Sequence, residues 1–393
     1  MLWLAGWYPT NENPHAGDFI RRHFKAFHNS KSFIKSNQEL HLIHFATNNK
    51  WSPIEFRTCL NKIKDKNCSD LEYIVPIFQS SNYLFKPVNF IWYHLVGIFV
   101  LLNYFKFHKT RYVHLHAADK VGVLAALFKD FVGYKLLYTE HWAIFNDNIS
   151  DRFEQRNFWF QFYFKKVWEK TDLFVSISNN LYQSMLRVYS ENKTFVIVPN
   201  VLDNVFERDI VDSTVRACRI DPQKIRFLHI SNFENRKNIP ILINAFQDYR
   251  KKYPQAQLSL VGGDLNDKEG IDLTSVFVYP NSPVEELISH YRNNDVFVLY
   301  SDAENAPCVI TEALCYGLPI ISSDVGSVSE MLNTENGILI KATSKNKFLK
   351  ENLLTALLEF TQKSQIFDKI EISKKAFEKY GKSKVFENFY WVR

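Results

Sequence analysis

Glu304-Asn-Ala-Pro-Cys-Val-Ile-Thr-Glu312-Ala-Leu-Cys-Tyr-Gly317-Leu-Pro319-Ile320 reads as a loop, a short helix and the start of a strand. Just before it, Asp295-Val-Phe-Val-Leu-Tyr300 is a short apolar run rich in β-formers, expected as a buried strand. Pro307 suits the first helical position, where its missing N–H costs nothing. Asn305 or Ala306 is then the N-cap, with Asn305 the better by chemistry. The helix should run to Tyr316 and stop at Gly317, with Pro319 blocking continuation and a strand at 318–322.

The same alternation of strand and helix fills the chain. Strands are expected at 2–5, 40–45, 112–116, 135–139, 173–177 and 195–198, with helices that include 18–28, 122–132 and 152–170. In the second half, strands are expected at 226–231, 257–261, 276–279, 295–300, 318–322 and 337–340, with helices at 240–252 and 284–292. Such alternation implies α/β architecture with two doubly wound parallel sheets. Ligands bind in the crevice outside the carboxyl ends of such sheets.

The chemistry of the opening stretch fits an anionic ligand. A helix start carries unpaired N–H groups and partial positive charge, so the amides of Cys308 and Val309 are placed to cradle a diphosphate. Eight helical residues span roughly 12 Å. Glu304 and Glu312 are therefore expected at opposite ends of an extended ligand, accepting from sugar and ribose hydroxyls. The bland alternative is an exposed loop acid and a solvent-facing helix acid. Glu-x7-Glu alone favours that alternative, and its place between a buried strand and a Gly-ended helix reverses the balance.

This stretch resembles the Glu-x7-Glu region of retaining glycosyltransferases of family 4, whose fold is GT-B. The likeness continues through Leu2-Trp-Leu-Ala-Gly-Trp-Tyr-Pro-Thr10 with Ala16-Gly17-Asp18, through Thr139-Glu-His141, and through the hinge-like Val198-Pro-Asn200-Val-Leu-Asp203. It also takes in His229-Ile-Ser-Asn-Phe233 with Arg236-Lys237, and Ser323-Asp324-Val-Gly326-Ser-Val-Ser-Glu330. The resemblance implies two Rossmann-like domains, an acceptor domain over 1–203 and a donor domain over 204–379, with a helix at about 380–393 crossing back. It implies that Lys237 binds the donor diphosphate, Glu304 the donor sugar and Glu312 the ribose. Gly17 would lie at the acceptor and phosphate cleft, and His141 near the reacting carbon. Many members have Gly-Arg where this chain has Ser231-Asn232; Arg236 is the substitute cation expected here. Val201 stands where the hinge glycine is usual.

The implied activity is transfer of a sugar from a nucleotide diphosphate sugar, with retention, to a saccharide or lipid-linked acceptor. No cofactor and no divalent metal are expected. The rivals are a GT-B nucleotide-sugar epimerase and a non-catalytic nucleotide-sugar or lipid-binding subunit.

Composition bounds the rest. The chain has 393 residues, 46% of them hydrophobic, enough for two or three cored domains. Five cysteines with no Cys-x-x-Cys pair argue against a disulfide framework or a zinc site. Cys308 has no histidine near it in sequence and is read as a backbone or packing residue. The absence of a signal-like start predicts a cytoplasmic protein. The net charge of +6 divides as +7 over 1–203 and −1 over 204–393. That asymmetry points to an anionic membrane surface, peripheral on the inner face of the cell membrane, rather than to nucleic acid, for which no module is visible. Residues 88–105 are uncharged and flanked by Lys86, Lys106, Lys109 and Arg111. They are read first as a buried helix, then as a helix dipping into a membrane interface, and last as a span. His114 and His116 should share one face of a strand as structural histidines. Gly262-Gly263-Asp264 suits close backbone approach to a ligand, and Asp264 with Asp267 reads as a solvated loop.

Overall fold

The computed structural model describes residues 1–10, 16–36, 38–48, 55–58, 68–76, 85–146, 152–212, 219–264, 272–341 and 349–387. Among them, strands β1 (Leu2–Ala5), β2 (Leu40–Asn48), β3 (Glu55–Thr58), β4 (Cys68–Pro76), β5 (Tyr112–His116), β6 (Lys135–Thr139), β7 (Leu173–Ser176) and β8 (Phe195–Ile197) form one sheet, ordered β3-β4-β2-β1-β5-β6-β7-β8. The second sheet holds β9 (Arg226–Ile230), β10 (Gln257–Val261), β11 (Val276–Tyr279), β12 (Val296–Leu299), β13 (Ile320–Ser323) and β14 (Gly337–Ile340), ordered β11-β10-β9-β12-β13-β14. All neighbouring strands are parallel except β3 and β4. The expected all-parallel first sheet is thus corrected by an antiparallel edge strand.

Each sheet starts in its middle and winds outward both ways. The direction reverses between β1 and β5 in the first, and between β9 and β12 in the second. Those two points, at the carboxyl ends of the strands, are where such sheets open a crevice. The apolar runs of the central strands explain their position: β1, β12 and β13 are buried throughout. Helices cover both faces of the first sheet. One face packs Leu2, Leu4, Leu115 and Tyr138 under the helices Phe85–Phe107, Lys120–Val132 and Phe158–Lys170. The other packs Trp3, Leu40 and Leu42 under the helix Asp18–His28. The second sheet has its own large core.

The chain crosses between the cores at Val201, buried in the first, and Leu202, buried in the second. It returns beside this crossing, where Leu202 N–H donates to Tyr380 O at 3.0 Å. The returning helix Lys382–Glu387 sets Phe386 among the first lobe's residues, 5.7 Å from Phe27. Residues 388–393 of the expected crossing helix lie outside the described residues.

Several expected boundaries move for local reasons. Pro307 is the N-cap rather than the first helical residue: its ψ of 117° is extended, and the helix is Cys308–Cys315. Asn305 and Ala306 are therefore not caps. The helix expected at 152–170 begins only at Phe158, because the Asn157 side chain accepts from Phe160 N–H at 3.0 Å and fixes the start there. Ahead of it lies a 3-10 turn, Phe153–Gln155. The strand expected at 318–322 starts two residues later, because Leu318 N–H is still held by Ala313 O of the helix.

Candidate active site

The loops at the two winding reversals face each other across a cleft of about 980 Å³. Its first wall comes from the loop after β1, the helix Asp18–His28 and the loop after β6, as Trp7, Phe19, His141 and Trp142. Its second wall comes from the loops after β9 and β12 and the helix Cys308–Cys315, as Arg236, Lys237, Glu304, Cys308 and Val309. Glu312 and Gly17 do not line it.

The second wall is electrostatically closed on itself. The Lys237 ammonium is ion-paired with Glu304 Oε1, and both side chains are under one-tenth exposed. Arg236 Nη1 lies 3.6 Å from Glu304 Oε2 and donates to Ala303 O at 2.9 Å. Arg236 thus stands beside the carboxylate. Asn232 donates to Glu234. Gly326, at φ +57°, lets the Glu304–Asn305 backbone approach: a Cβ there would meet Glu304 O at 2.0 Å. Ser327 N–H donates to Asn305 O at 3.0 Å and fixes the same loop. Cys308 and Val309 open the eight-residue helix, where amides have no intrahelical acceptor. Burial pushes the Cys308 thiol up to about 12, so it holds its proton at neutral pH and is no thiolate nucleophile.

Glu312 lies deeper than the sequence reading placed it. Its Oε1 accepts from Arg22 Nη1 at 2.5 Å and its Oε2 from the Tyr291 hydroxyl at 2.6 Å. Burial raises its pKa, with Arg22 pulling the other way. Arg22 also pairs with Asp18 at 2.5 Å and approaches Asp203 at 3.7 Å. This arginine ties the first lobe to the second across 290 residues of sequence, and the sequence reading missed it. Further ties are Asn146 to Glu304 O at 2.7 Å and Asn200 to Ala306 O at 2.8 Å. The Glu330 carboxylate accepts from Asn179 and Asn180 N–H, at the start of the helix Asn179–Tyr189.

On the first wall, His141 is 8% exposed and packs on Phe19 at 4.4 Å. Its Nε2 is 3.4 Å from His116 Nδ1. Burial, with His23 and His114 adding repulsion, holds its pKa well below the ordinary value, so the ring is neutral at pH 7. His114 and His116 do share one face, as expected. His114 meets Thr139 Oγ1 at 2.8 Å, and His116 stacks on Trp3 at 4.2 Å. Gly17 is buried behind this wall at φ +66°. A Cβ there would overlap the Trp7 carbonyl at 2.6–2.7 Å, so only glycine lets the helix Asp18–His28 start against that strand end.

Glu140 was quoted in sequence but given no role. Fully buried, it accepts from Tyr138 hydroxyl at 2.5 Å, His141 N–H at 2.7 Å, Trp142 N–H at 2.8 Å and Ala118 N–H at 3.3 Å. Four donors need an acceptor-only group, and the carboxylate fixes the loop that carries His141 and Trp142. Glu140→Gln puts an NH₂ against backbone donors. The expected cost is about 1–3 kcal/mol, read as a lower melting temperature, together with impaired turnover; an unchanged melt would refute this role.

The remaining sequence candidates have structural roles or lie elsewhere. Gly262 and Gly263 approach Ser231 and Phe233 of the neighbouring loop, so protein backbone and ring, rather than a ligand, explain the close contact. Asp267 lies outside the described residues. Among the described residues, one group of His and acid ligand atoms is close enough to hold a cation: Glu39, His41 and His108, at the amino end of β2, away from the cleft at the strands' carboxyl ends. Glu39 Oε2 there is 3.2 Å from His41 and 3.4 Å from His108.

Comparison with known proteins agrees with this architecture. Residues 213–369 match the family described as Glycosyl transferases group 1. A Klebsiella pneumoniae protein, "Uncharacterized 41.2 kDa protein in cps region", is 25% identical over 75% of this chain and 84% of its own length. N-acetyl-alpha-D-glucosaminyl L-malate synthase of Bacillus anthracis is 25% identical over 56% of this chain and 58% of its own. Among solved structures, lipopolysaccharide outer core galactosyltransferase WaaB in its apo form superposes with TM-score 0.68 at 16% identity, over 100% of this chain and 98% of that one. Sucrose-phosphate synthase of Thermosynechococcus elongatus gives 0.66 at 16% identity, over 99% and 95%. The fold is GT-B, and together these findings support a glycosyltransferase.

Proposed function

We propose that the chain transfers a sugar, with retention of configuration, from a nucleoside diphosphate donor to a saccharide or lipid-linked acceptor. One observation carries the reading. Lys237, Arg236 and the start of the helix Cys308–Cys315 converge beside Glu304 on one wall of the cleft, opposite neutral His141. Fixed cations and helix amides of this kind stabilise the charge that grows on a departing diphosphate. Lys237 has three N–H donors and can hold Glu304 and a phosphate oxygen together. Glu304 accepts from hydroxyls of the donor sugar. Glu312 reaches a ribose only when its pair with Arg22 opens. No metal enters this scheme, because lysine, arginine and helix amides do the neutralising. His141, neutral and facing the cleft, hydrogen-bonds a sugar hydroxyl or phosphate oxygen near the reacting carbon.

The relative in a cps region and the lipopolysaccharide galactosyltransferase neighbour favour a cell-surface saccharide as acceptor. Neighbours solved with UDP support a nucleotide donor. A thermal-shift screen against UDP-, GDP- and ADP-sugars tests the reading, since a ligand bound by the folded state alone raises its melting temperature. One nucleotide class should shift the melt. Transfer with that donor should give a product of unchanged anomeric configuration and should survive EDTA. No shift with any nucleotide, loss of turnover in EDTA, or sugar left on the nucleotide in changed form would each overturn it.

A further inference from the structure

One layer of the first lobe has an outer surface unlike the rest of the molecule. The helix Phe85–Phe107 turns Tyr93, Val96, Val100, Leu101 and Tyr104 onto the sheet. Its opposite stripe, at spacings of three and four, is Val88, Ile91, Leu95, Phe99 and Leu102, all exposed; Ile91 is 59% and Phe99 68% exposed. A helix packed on a sheet and facing water ordinarily carries polar residues there. This one carries none of the usual charges between Lys86 and Lys106. Two neighbouring helices on the same face do likewise. Lys120–Val132 exposes Phe131 at 80%, and Phe158–Lys170 exposes Phe158 at 71% and Trp159 at 62%.

The patches connect. Phe90 stacks on Tyr163 at 5.4 Å, and Trp159 stacks on Tyr163 at 6.4 Å, so the first helix joins the third. Between them lies a hollow of about 610 Å³, lined by Ile91, Trp159, Lys86 and Lys120 among others. Cations rim the apolar area: Lys86 at one end of the long helix, Lys106, Lys109 and Arg111 at the other, and Lys165 on the third, where the neighbouring Lys166 is paired with Glu169 at 2.7 Å. Apolar side chains with aromatic flanks and a lysine rim are the chemistry of a surface lying in a membrane interface.

We infer that this three-helix face docks on an anionic phospholipid bilayer, with the long helix in the plane of the surface. By length and composition that helix, Lys86–Phe107, is apolar enough to cross a membrane. Its inner stripe, however, is buried on the sheet, and it joins β4 to β5 of that same sheet, so it lies flat. Charge selects the bilayer over a second copy. A two-fold pairing would set the lysine rims against each other, whereas anionic headgroups neutralise them. The docked face also leads to the cleft: Phe160 meets Trp142 at 5.6 Å, and Trp142 meets Trp7 at 5.3 Å, both tryptophans being in the cleft wall. Resting on the transfer reading above, this path admits a lipid-linked acceptor from the membrane side.

The test is cosedimentation of the full chain with phosphatidylcholine vesicles, with and without phosphatidylglycerol. The wild type should pellet with the anionic vesicles, less so at high salt. Ile91→Glu with Phe99→Glu should lower partitioning about a hundredfold. Val211→Glu, at an exposed apolar position of the second lobe, should change nothing. Wild-type protein left in the supernatant, or a double variant that binds equally well, overturns the inference. So does a wild-type dimer, seen by light scattering, that the double variant splits. Nucleotide-sugar melting shifts taken on the same samples separate the two readings: if they persist while vesicle binding fails, only the docking is wrong.

Discussion

Replacing Lys237 with glutamine should lower kcat by about a hundred- to a thousandfold, with a much smaller change in melting temperature. The cation is needed most when the diphosphate leaves, because negative charge on it is then greatest. A group that acts more strongly in the transition state than in the bound substrate lowers kcat and kcat/KM together when removed. Glutamine keeps most of the side-chain volume in a position only 7% exposed. Arg236, 3.6 Å away, still faces the Glu304 carboxylate, which limits the damage to folding. Lys237→Ala is the poorer probe, since stranding a buried carboxylate costs about 3–5 kcal/mol. Steady-state kinetics and thermal melts on the glutamine variant decide the matter. Turnover within tenfold of wild type would remove Lys237 from the catalytic group.

Acid should unfold this protein unusually early. His23, His44 and His229 are buried and held down to about 4, burial being the main cause in each. His44 Nδ1 contacts Ala5 O at 2.8 Å and His229 Nδ1 contacts Val298 O at 2.8 Å. His114, His116 and His141 are shifted the same way. The unfolded chain titrates them near 6.5, so it binds more protons than the folded chain as pH falls from about 6.5 to about 4. Stability is therefore level above that window and declines through it, by about 2 kcal/mol for each of the first three histidines at pH 5. Glu140 and Glu312 work against this trend, since burial holds both carboxyls above their ordinary range. The Tyr138 hydroxyl and backbone N–H groups at Glu140, and Arg22 and Tyr291 at Glu312, reduce those shifts, and six histidines act against these two carboxyls. Urea midpoints measured between about pH 7 and pH 5 should fall steeply, against a typical total stability of about 5–15 kcal/mol. Midpoints that stay level would mean these rings reach water in solution.

Central strands such as β1 and β12 were legible because a strand buried on both faces must be apolar throughout. The short β3 and the nine-residue β4, Cys-Ser-Asp-Leu-Glu-Tyr-Ile-Val-Pro, were not anticipated. They sit at the sheet's edge, where the sequence alternates polar and apolar residues and gives no continuous run. Lys237, Arg236 and Glu304 were named together through the family resemblance alone; in the fold each follows a strand, and the winding brings those strand ends to one wall of the cleft. Arg22 was not legible. It lies in an amphipathic helix beside Arg21, and its partner Glu312 is set by how the lobes face, which no local pattern encodes. Residues 88–105 were read as buried, as dipping into an interface or as a span; the helix buries one apolar stripe on the sheet and leaves the opposite stripe exposed. Periodicity cannot separate an inner from an outer stripe when both are apolar.

Phe386 has a consequence for the order of events at the ribosome. Its ring completes an aromatic layer with His23 and Phe27, 5.9 and 5.7 Å away, near the beginning of the chain. The chain must be translated through residue 386 before that seat is filled. The newborn first lobe therefore waits with an oily socket open while the second lobe is made, and is expected to lean on chaperones for that interval.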